Sequence, residues 1–157
     1  MLGAQGSTDM IGVVARCSCM GPLSITHITT VVVPVADQAQ ALAFYVERLG
    51  LEKVLDVTYD SGERWLEVAP PGSTISLTLV EARPERQAGI ETGIVLASGD
   101  VRAAHEALRV AGVQADPELL PPGIVTWWAG APLAGRPDQF RVYDPDGNSL
   151  LIVGDPG

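Results

Sequence analysis

The chemistry available to this chain rests on a short set of residues. His27 and His105 are its two imidazoles, the groups best suited to metal binding and to proton transfer near neutral pH. Glu67 and Glu81 fall on strand-like segments, where a carboxylate could serve as a base or a ligand. Thr74, Ser76 and Thr78 alternate with Ile75, Leu77 and Leu79, which on a strand places three hydroxyls on one face and the apolar set on the other. A pocket lined by hydroxyls and an ordinary strand with Thr chosen for β propensity explain that pattern equally well. Trp65, Trp127 and Trp128 offer flat apolar surfaces that could hold a planar molecule or fill a core. Neighbours on a strand point to opposite faces, so Trp127 and Trp128 are expected to split between core and pocket or interface. Arg64 and Arg141 sit on strands poor in charge and suit either a carboxylate partner or a two-pronged grip on an anionic ligand. Asp144, Asp146 and Asn148 read as turn chemistry rather than a calcium loop. There is no glycine-rich phosphate loop and no nucleophile elbow.

The elements that must position these groups follow from periodicity. Ile25–Val35 is β-branched almost throughout and reads as a strand, with Pro34 at its end or edge. Asp37 with Gln40 three residues on opens a helix whose apolar face is Leu42, Tyr45, Val46 and Leu49, and Gly50 stops it. Strands are expected over 54–59, 64–69 and 74–80. The pattern then recurs: a strand over 92–97, a helix opened by Asp100 with Val101, Ala104, Leu108 and Ala111 inward, Gly112 as its stop, and strands over 125–129, 139–143 and 149–153. His105 is expected beside that stripe, at a boundary or on the surface. Asp37 matches Asp100 at an offset of 63, Gly50 matches Gly112 at 62, and the segment from Trp65 matches that from Phe140 at 75. Two copies of one β-α-β-β-β unit are therefore expected, each too small to bury its sheet unaided. A cavity where the two curved sheets meet is the expected ligand site.

Composition narrows the function classes. With 157 residues the chain has room for one domain, and 46% apolar against 18% charged residues is a globular balance. Its net charge of −9 repels a phosphate backbone, so nucleic acid is not an expected partner. No apolar run is long enough to cross a bilayer. Cys17 and Cys19 form no disulfide framework, which fits a cytoplasmic protein. Residues 1–22 are read as a tail, with one domain over 23–154 built from modules at 24–81 and 91–153.

Two segments carry a family resemblance. Ala41–Glu52 (ALAFYVERLGLE) resembles the first helix of the vicinal oxygen chelate superfamily, which includes glyoxalase I, extradiol dioxygenases and bleomycin-resistance proteins. Tyr143–Asn148 (YDPDGN) resembles its closing hairpin turn, and the duplicated plan is similar over residues 24–153. The resemblance implies an α+β fold of two tandem β-α-β-β-β modules forming curved mixed sheets around a cleft, and a homodimer whose partners often complete each other's site. Metal-dependent relatives take two ligands from each half, and the matching positions here are Thr30, Ser76, Gly93 and Leu151. None suits a divalent metal, since hydroxyls are weak donors and Gly and Leu have none. The expectation is therefore a small-molecule binding protein without a cofactor, holding a planar or amphipathic ligand through Thr30, Trp65, Ser76, Trp127, Trp128, Arg141 and Tyr143. Its rival is a metal-dependent lyase or dioxygenase with a shifted ligand set, His27 with Glu67 or Glu81. That set needs a bulge, because His27 and Thr30 are three apart and face opposite ways on a regular strand. A third possibility is metal-free acid–base catalysis by Glu67.

Overall fold

The computed structural model describes residues 24–133 and 137–155. The segment 1–22, with both cysteines, lies outside them. Strand β1 (Thr30–Val35) leads to helix α1 (Gln38–Ala43), then to strands β2 (Glu52–Thr58), β3 (Arg64–Ala69) and β4 (Ser76–Glu81). They form a sheet in the order β1-β4-β3-β2, parallel between β1 and β4 and antiparallel elsewhere. The second module runs β5 (Glu91–Ser98), α2 (Val101–Val110), β6 (Thr126–Trp128), β7 (Ala131–Leu133), β8 (Gln139–Tyr143) and β9 (Ser149–Gly154). The fold is thus α+β, with mixed sheets and few helices.

Local chemistry accounts for the helices. The Asp37 carboxylate accepts from the Ala39 and Gln40 N–H groups at 2.8 and 3.0 Å, and Asp100 accepts from Ala103 at 2.9 Å. Helix α1 continues into a wider π turn over Phe44–Arg48. That turn carries two adjacent rings inward: Phe44 and Tyr45 are both buried and meet edge-on at 5.3 Å, while Leu42, Val46 and Leu49 pack around them half-buried. In α2 the buried stripe is Val101, His105 and Leu108. His105 is thus a core residue, contrary to the boundary position expected of it. Its ring stands edge-on to Phe140 at 4.7 Å, and Nε2 lies 2.7 Å from the Asp116 carbonyl, which satisfies its polarity.

Both modules share one core. Val33, Val35, Leu66, Val68, Leu77 and Leu79 of the first sheet and Phe140, Val142, Leu150 and Ile152 of the second join the helix side chains in a single cluster. Each such side chain contributes about 1.5–3 kcal/mol through burial. The sheets therefore meet through their helix-side faces, and their other faces turn away from this core.

Two strands differ from expectation. β1 begins at Thr30 rather than Ile25, and residues 24–29 have no regular structure. β6 does not enter the second sheet, whose order is β5-β9-β8; it pairs with β7 as a separate hairpin. The free edge of β8 is occupied instead by the segment after α2. Tyr143 donates its N–H to Gln114, Asp116 donates to Arg141, and Leu120 and Gln139 exchange bonds, all within 2.9–3.1 Å.

The closing turn fastens the modules together. Asp144 accepts from the Asp146 and Asn148 N–H groups at 2.9 Å, from the Asn148 amide at 2.8 Å and from the Tyr45 hydroxyl at 3.1 Å. Asn148 also accepts from the Gly89 and Ile90 N–H groups and donates to the Pro34 carbonyl, while Asp146 accepts from the Ala36 N–H. Burial pushes the Tyr45 hydroxyl far above its ordinary pKa, reinforced by the neighbouring Asp144 carboxylate.

Candidate functional site

The face of the first sheet that turns away from the core is set by strand alternation. Leu55, Glu67, Thr78 and Val32 lie side by side across β2, β3, β4 and β1. Ser76 pairs with Thr30, and Trp65 pairs with Val57. Among these groups runs a polar network. Trp65 Nε1 donates to Glu67 Oε1 at 2.6 Å, and Ser76 Oγ donates to Glu67 Oε2 at 2.7 Å. Thr30 Oγ1 donates to the Ser76 carbonyl at 3.2 Å and lies 2.5 Å from Thr78 Oγ1. Ser76 and Thr78 are buried beneath, whereas Thr30, Trp65 and Glu67 stay half-exposed.

A hollow of about 560 Å³ opens over this sheet. Val32, Trp65 and Val80 form its floor, and Tyr59, Arg83 and Arg86 stand at its mouth. Arg64, also at the mouth, is held by two bonds to Asp56 at 2.7 and 2.8 Å, and Arg83 is paired with Glu63. The Arg64 guanidinium holds the Asp56 carboxyl well below the usual carboxylate range. A hollow of about 450 Å³ lies elsewhere, where Leu49–Leu51 and the Pro70–Pro71 turn meet β5 and α2. The first hollow, the larger one, is lined by the first module and the linker after it, and not by the meeting of the two sheets' faces.

The same face of the second sheet is closed. Trp128, 5% exposed, packs on Leu151, Val153 and Leu133, so the β6–β7 hairpin acts as a plug. Arg141 lies 5.7 Å from the Trp128 ring, donates to the Trp127 carbonyl at 2.6 Å and comes within 4.0 Å of Glu91. The Trp127 side chain is 65% exposed. Tyr143 is half-buried on β8 opposite Ser149. The structure therefore brings Thr30, Trp65 and Ser76 together on one sheet. Trp128 and Arg141 are brought together on the other, and of the seven expected ligand residues Trp65 alone lines either hollow, whereas Thr30, Ser76, Trp127, Trp128, Arg141 and Tyr143 line neither. Thr78, Tyr59 and Arg86 belong to the first face and mouth. Thr78 shares the alternation of Ser76, whereas Tyr59 and Arg86 lie outside any strand and carry no such signal.

The four positions that correspond to metal ligands do not fit a metal. The Thr30 and Ser76 hydroxyls are committed to neighbours within the sheet. Gly93 has no side chain and sits at φ +74° in the irregular stretch of β5, and Leu151 lies under Trp128. His27 is exposed, its Nδ1 2.8 Å from the Thr26 hydroxyl, and precedes β1 rather than bulging from it. Among the described residues no three His, Cys, Asp or Glu side chains are grouped to hold a metal ion.

Comparison with known proteins places these features. The profile of the Glyoxalase/Bleomycin resistance protein/Dioxygenase superfamily matches residues 24–152. TnmS3, an antibiotic binding protein from Streptomyces sp. CB03234, is 34% identical, with 84% of this chain and 98% of that chain covered and a TM-score of 0.66. A member of the same superfamily from Sphaerobacter thermophilus DSM 20745 is 31% identical over 85% of this chain and all of its own, with a TM-score of 0.71. The uncharacterised protein YetH of Bacillus subtilis (strain 168) is 30% identical over 129 residues, 82% of this chain and 98% of YetH. With the family profile matched over residues 24–152 and these relatives alike in sequence and fold, this chain belongs to the glyoxalase/bleomycin resistance protein/dioxygenase superfamily.

Proposed function

We propose that the protein binds a small planar or amphipathic molecule on the open face of its first sheet and holds it without altering it. The observation that carries this reading is the hollow floored by Trp65, Val32 and Val80, large enough for a multi-ring compound and walled by an indole whose N–H is tied back to Glu67. The similarity to an antibiotic binding protein supports the same role here, with an antibiotic-like compound as the class of ligand. Isothermal titration with planar aromatic probes tests it. Binding near one site per chain, weakened more than about tenfold in Trp65→Ala, and recovery of the probe unchanged are the expected results. Chemical conversion of the probe would replace this reading with an enzymatic one.

A homodimer belongs to the same proposal. β2 is an exposed edge strand, and Leu55 and Val57 on it extend the Trp65 face as apolar surface open to solvent. A second copy over this face would cover the edge and wall the hollow. Light scattering coupled to gel filtration should give twice the chain mass, and Leu55→Lys should shift it toward the single chain.

A further inference from the structure

The mouth of the hollow is shaped by the linker that follows β4. Arg83 and Arg86 exchange backbone hydrogen bonds, 3.0 Å from the Arg83 N–H and 2.9 Å from the Arg86 N–H, which closes a tight turn over Pro84 and Glu85. Residues paired in this way send their side chains off the same face, about 5 Å apart at Cβ. Two guanidiniums are therefore set side by side, and both line the hollow. Like charges directly opposite each other repel, and an anion beside them relieves the cost. Arg83 has one: Glu63 bonds to it and, with Glu85 and Glu81 further off, favours its charge. Arg64, the third guanidinium of the lining, is taken by Asp56. Arg86 alone of the three has no hydrogen bond or ion pair from its side chain among the described residues. The lining carboxylates do not cancel it. Glu63 is taken by Arg83, and Glu85 lies in the turn beside the Arg83 charge that it helps to hold. Glu81 shares the alternation of Leu77 and Leu79, whose side chains enter the core, so it leaves β4 away from the Trp65 face. Resting on the binding reading above, we propose that the hollow selects planar ligands bearing an acidic group such as a carboxylate, which Arg86 grips while the rings lie on Trp65, Val32 and Val80. Arg86 is then the specificity-determining residue, offering two parallel N–H groups to the ligand's oxygens. The chain's net charge of −9 repels such a ligand at long range, so the preference is a contact effect at the guanidinium.

Three probes on one ring system separate the charges: pyrene-1-carboxylate, pyrene-1-methanol and pyrene-1-methylamine. They are titrated by fluorescence at neutral pH and physiological salt, where the first is an anion and the last a cation. The carboxylate is expected to bind tightest, by about tenfold over the alcohol and by more over the ammonium. In Arg86→Gln the ratio of carboxylate to alcohol affinity should fall to about twofold. Arg86→Lys, which keeps the charge but not the planar fork, should lie between. Each ratio is taken within one protein, so a general loosening of the hollow cancels from it. Equal binding of the three probes, or tightest binding of the alcohol or the ammonium, overturns the inference and leaves the hollow as a binding site. A carboxylate preference that survives Arg86→Gln overturns the assignment to Arg86. Failure of all three to bind overturns the proposed function and this inference with it. Arg86 is exposed, so neither variant disturbs the core, and the ranking in the unaltered protein needs no variant at all.

Discussion

The two modules descend from one plan but use the matching face in opposite ways. In the first, β2 completes a four-stranded sheet, and the face away from the core carries Thr30, Glu67, Ser76 and Thr78 around the half-exposed Trp65. In the second, the strand that should complete the sheet has left it, and the hairpin it forms drops Trp128 onto Leu151 and Val153. One tryptophan is a wall and the other a plug. Ser76 and Leu151 hold equivalent places in the two halves, so the polar residue sits where the face is open and the apolar one where it is filled. A duplicated fold can thus leave one face open and convert the other to core, because burial of the second face contributes stability that the open face forgoes.

The largest expected effects separate the two tryptophans. Trp128→Ala empties the plug and should cost about 3–5 kcal/mol in urea unfolding, as large-to-small core changes do. Probe binding at the first sheet should survive it. Trp65→Ala should cost only about 1–2 kcal/mol, chiefly the lost Glu67 bond and partial burial, yet remove planar-probe binding. Loss of binding in Trp128→Ala as well would mean that the two faces form one site, and the contrast would collapse.

The two hairpin turns sharpen the same point at a smaller scale. Asn148 is fully buried and its side chain makes four hydrogen bonds across the turn, the linker and β1. Asn148→Ala orphans the Gly89 and Ile90 N–H groups and the Pro34 carbonyl, which should cost about 2–4 kcal/mol. Its counterpart at the offset of 75 is Ser73, whose hydroxyl only closes a local turn through Ile75. Ser73→Ala should stay within about 0.5 kcal/mol. Equal losses in the two variants would deny that the closing turn is what joins the modules.

What the sequence made legible follows a physical division. Strands β3 and β8 lie where alternation and turn residues put them, and Asp37 and Asp100 cap the helices that they were expected to open. Those signals are local: a period, a cap, a stop. The hairpin over 126–133 was not legible, because β6 has good strand propensity and only the competition of residues 114–120 for the edge of β8 excludes it from the sheet. His105 was misplaced for a simpler reason. It stands four residues after Val101 and three before Leu108, within the apolar stripe, and its polar type hid a position that the spacing already made inward. At the candidate site the alternation of Ser76 and Thr78 with Leu77 and Leu79 holds, whereas Thr74 and Ile75 precede β4, which starts at Ser76, and are exposed, so neither joins the face expected of it. The network itself was beyond reach, since its partners come from three strands that must meet in register.

A smaller effect tests why the second half has no side chain at its first-strand position. Gly93 adopts φ +74° in the stretch where the β5–β9 register shifts, and a Cβ there would meet the Ala129 Cβ at an ordinary 3.5 Å. Space is therefore adequate and the backbone is the obstacle. Gly93→Ala should cost about 1 kcal/mol, the usual penalty for a left-handed non-glycine residue. A neutral result in thermal unfolding would show that the irregular stretch can rearrange, and that this position is not set by backbone geometry.

The subtlest expected effect is a slope rather than a loss. Burial raises the Asp144 carboxyl above its ordinary 3.8, and the bonds from Asn148 and Tyr45 only partly offset it. A raised folded-state value means that the folded protein holds this proton more tightly than the unfolded chain does. Its contribution to stability is therefore complete below 3.8 and is lost as pH rises through the folded value. Asp56, which Arg64 lowers, acts in the opposite sense, its contribution being lost as pH falls. Asp144→Asn removes the first of these slopes and leaves the second, so the comparison isolates the module junction. Urea unfolding at a series of pH values from strongly acid to neutral should show the unaltered protein losing stability relative to Asp144→Asn as pH rises. A constant gap would mean that Asp144 is no more desolvated than an exposed carboxylate. A gap that widens in favour of the unaltered protein would mean that the hydrogen bonds from Tyr45 and Asn148 outweigh burial, making the junction an anion site held by its donors.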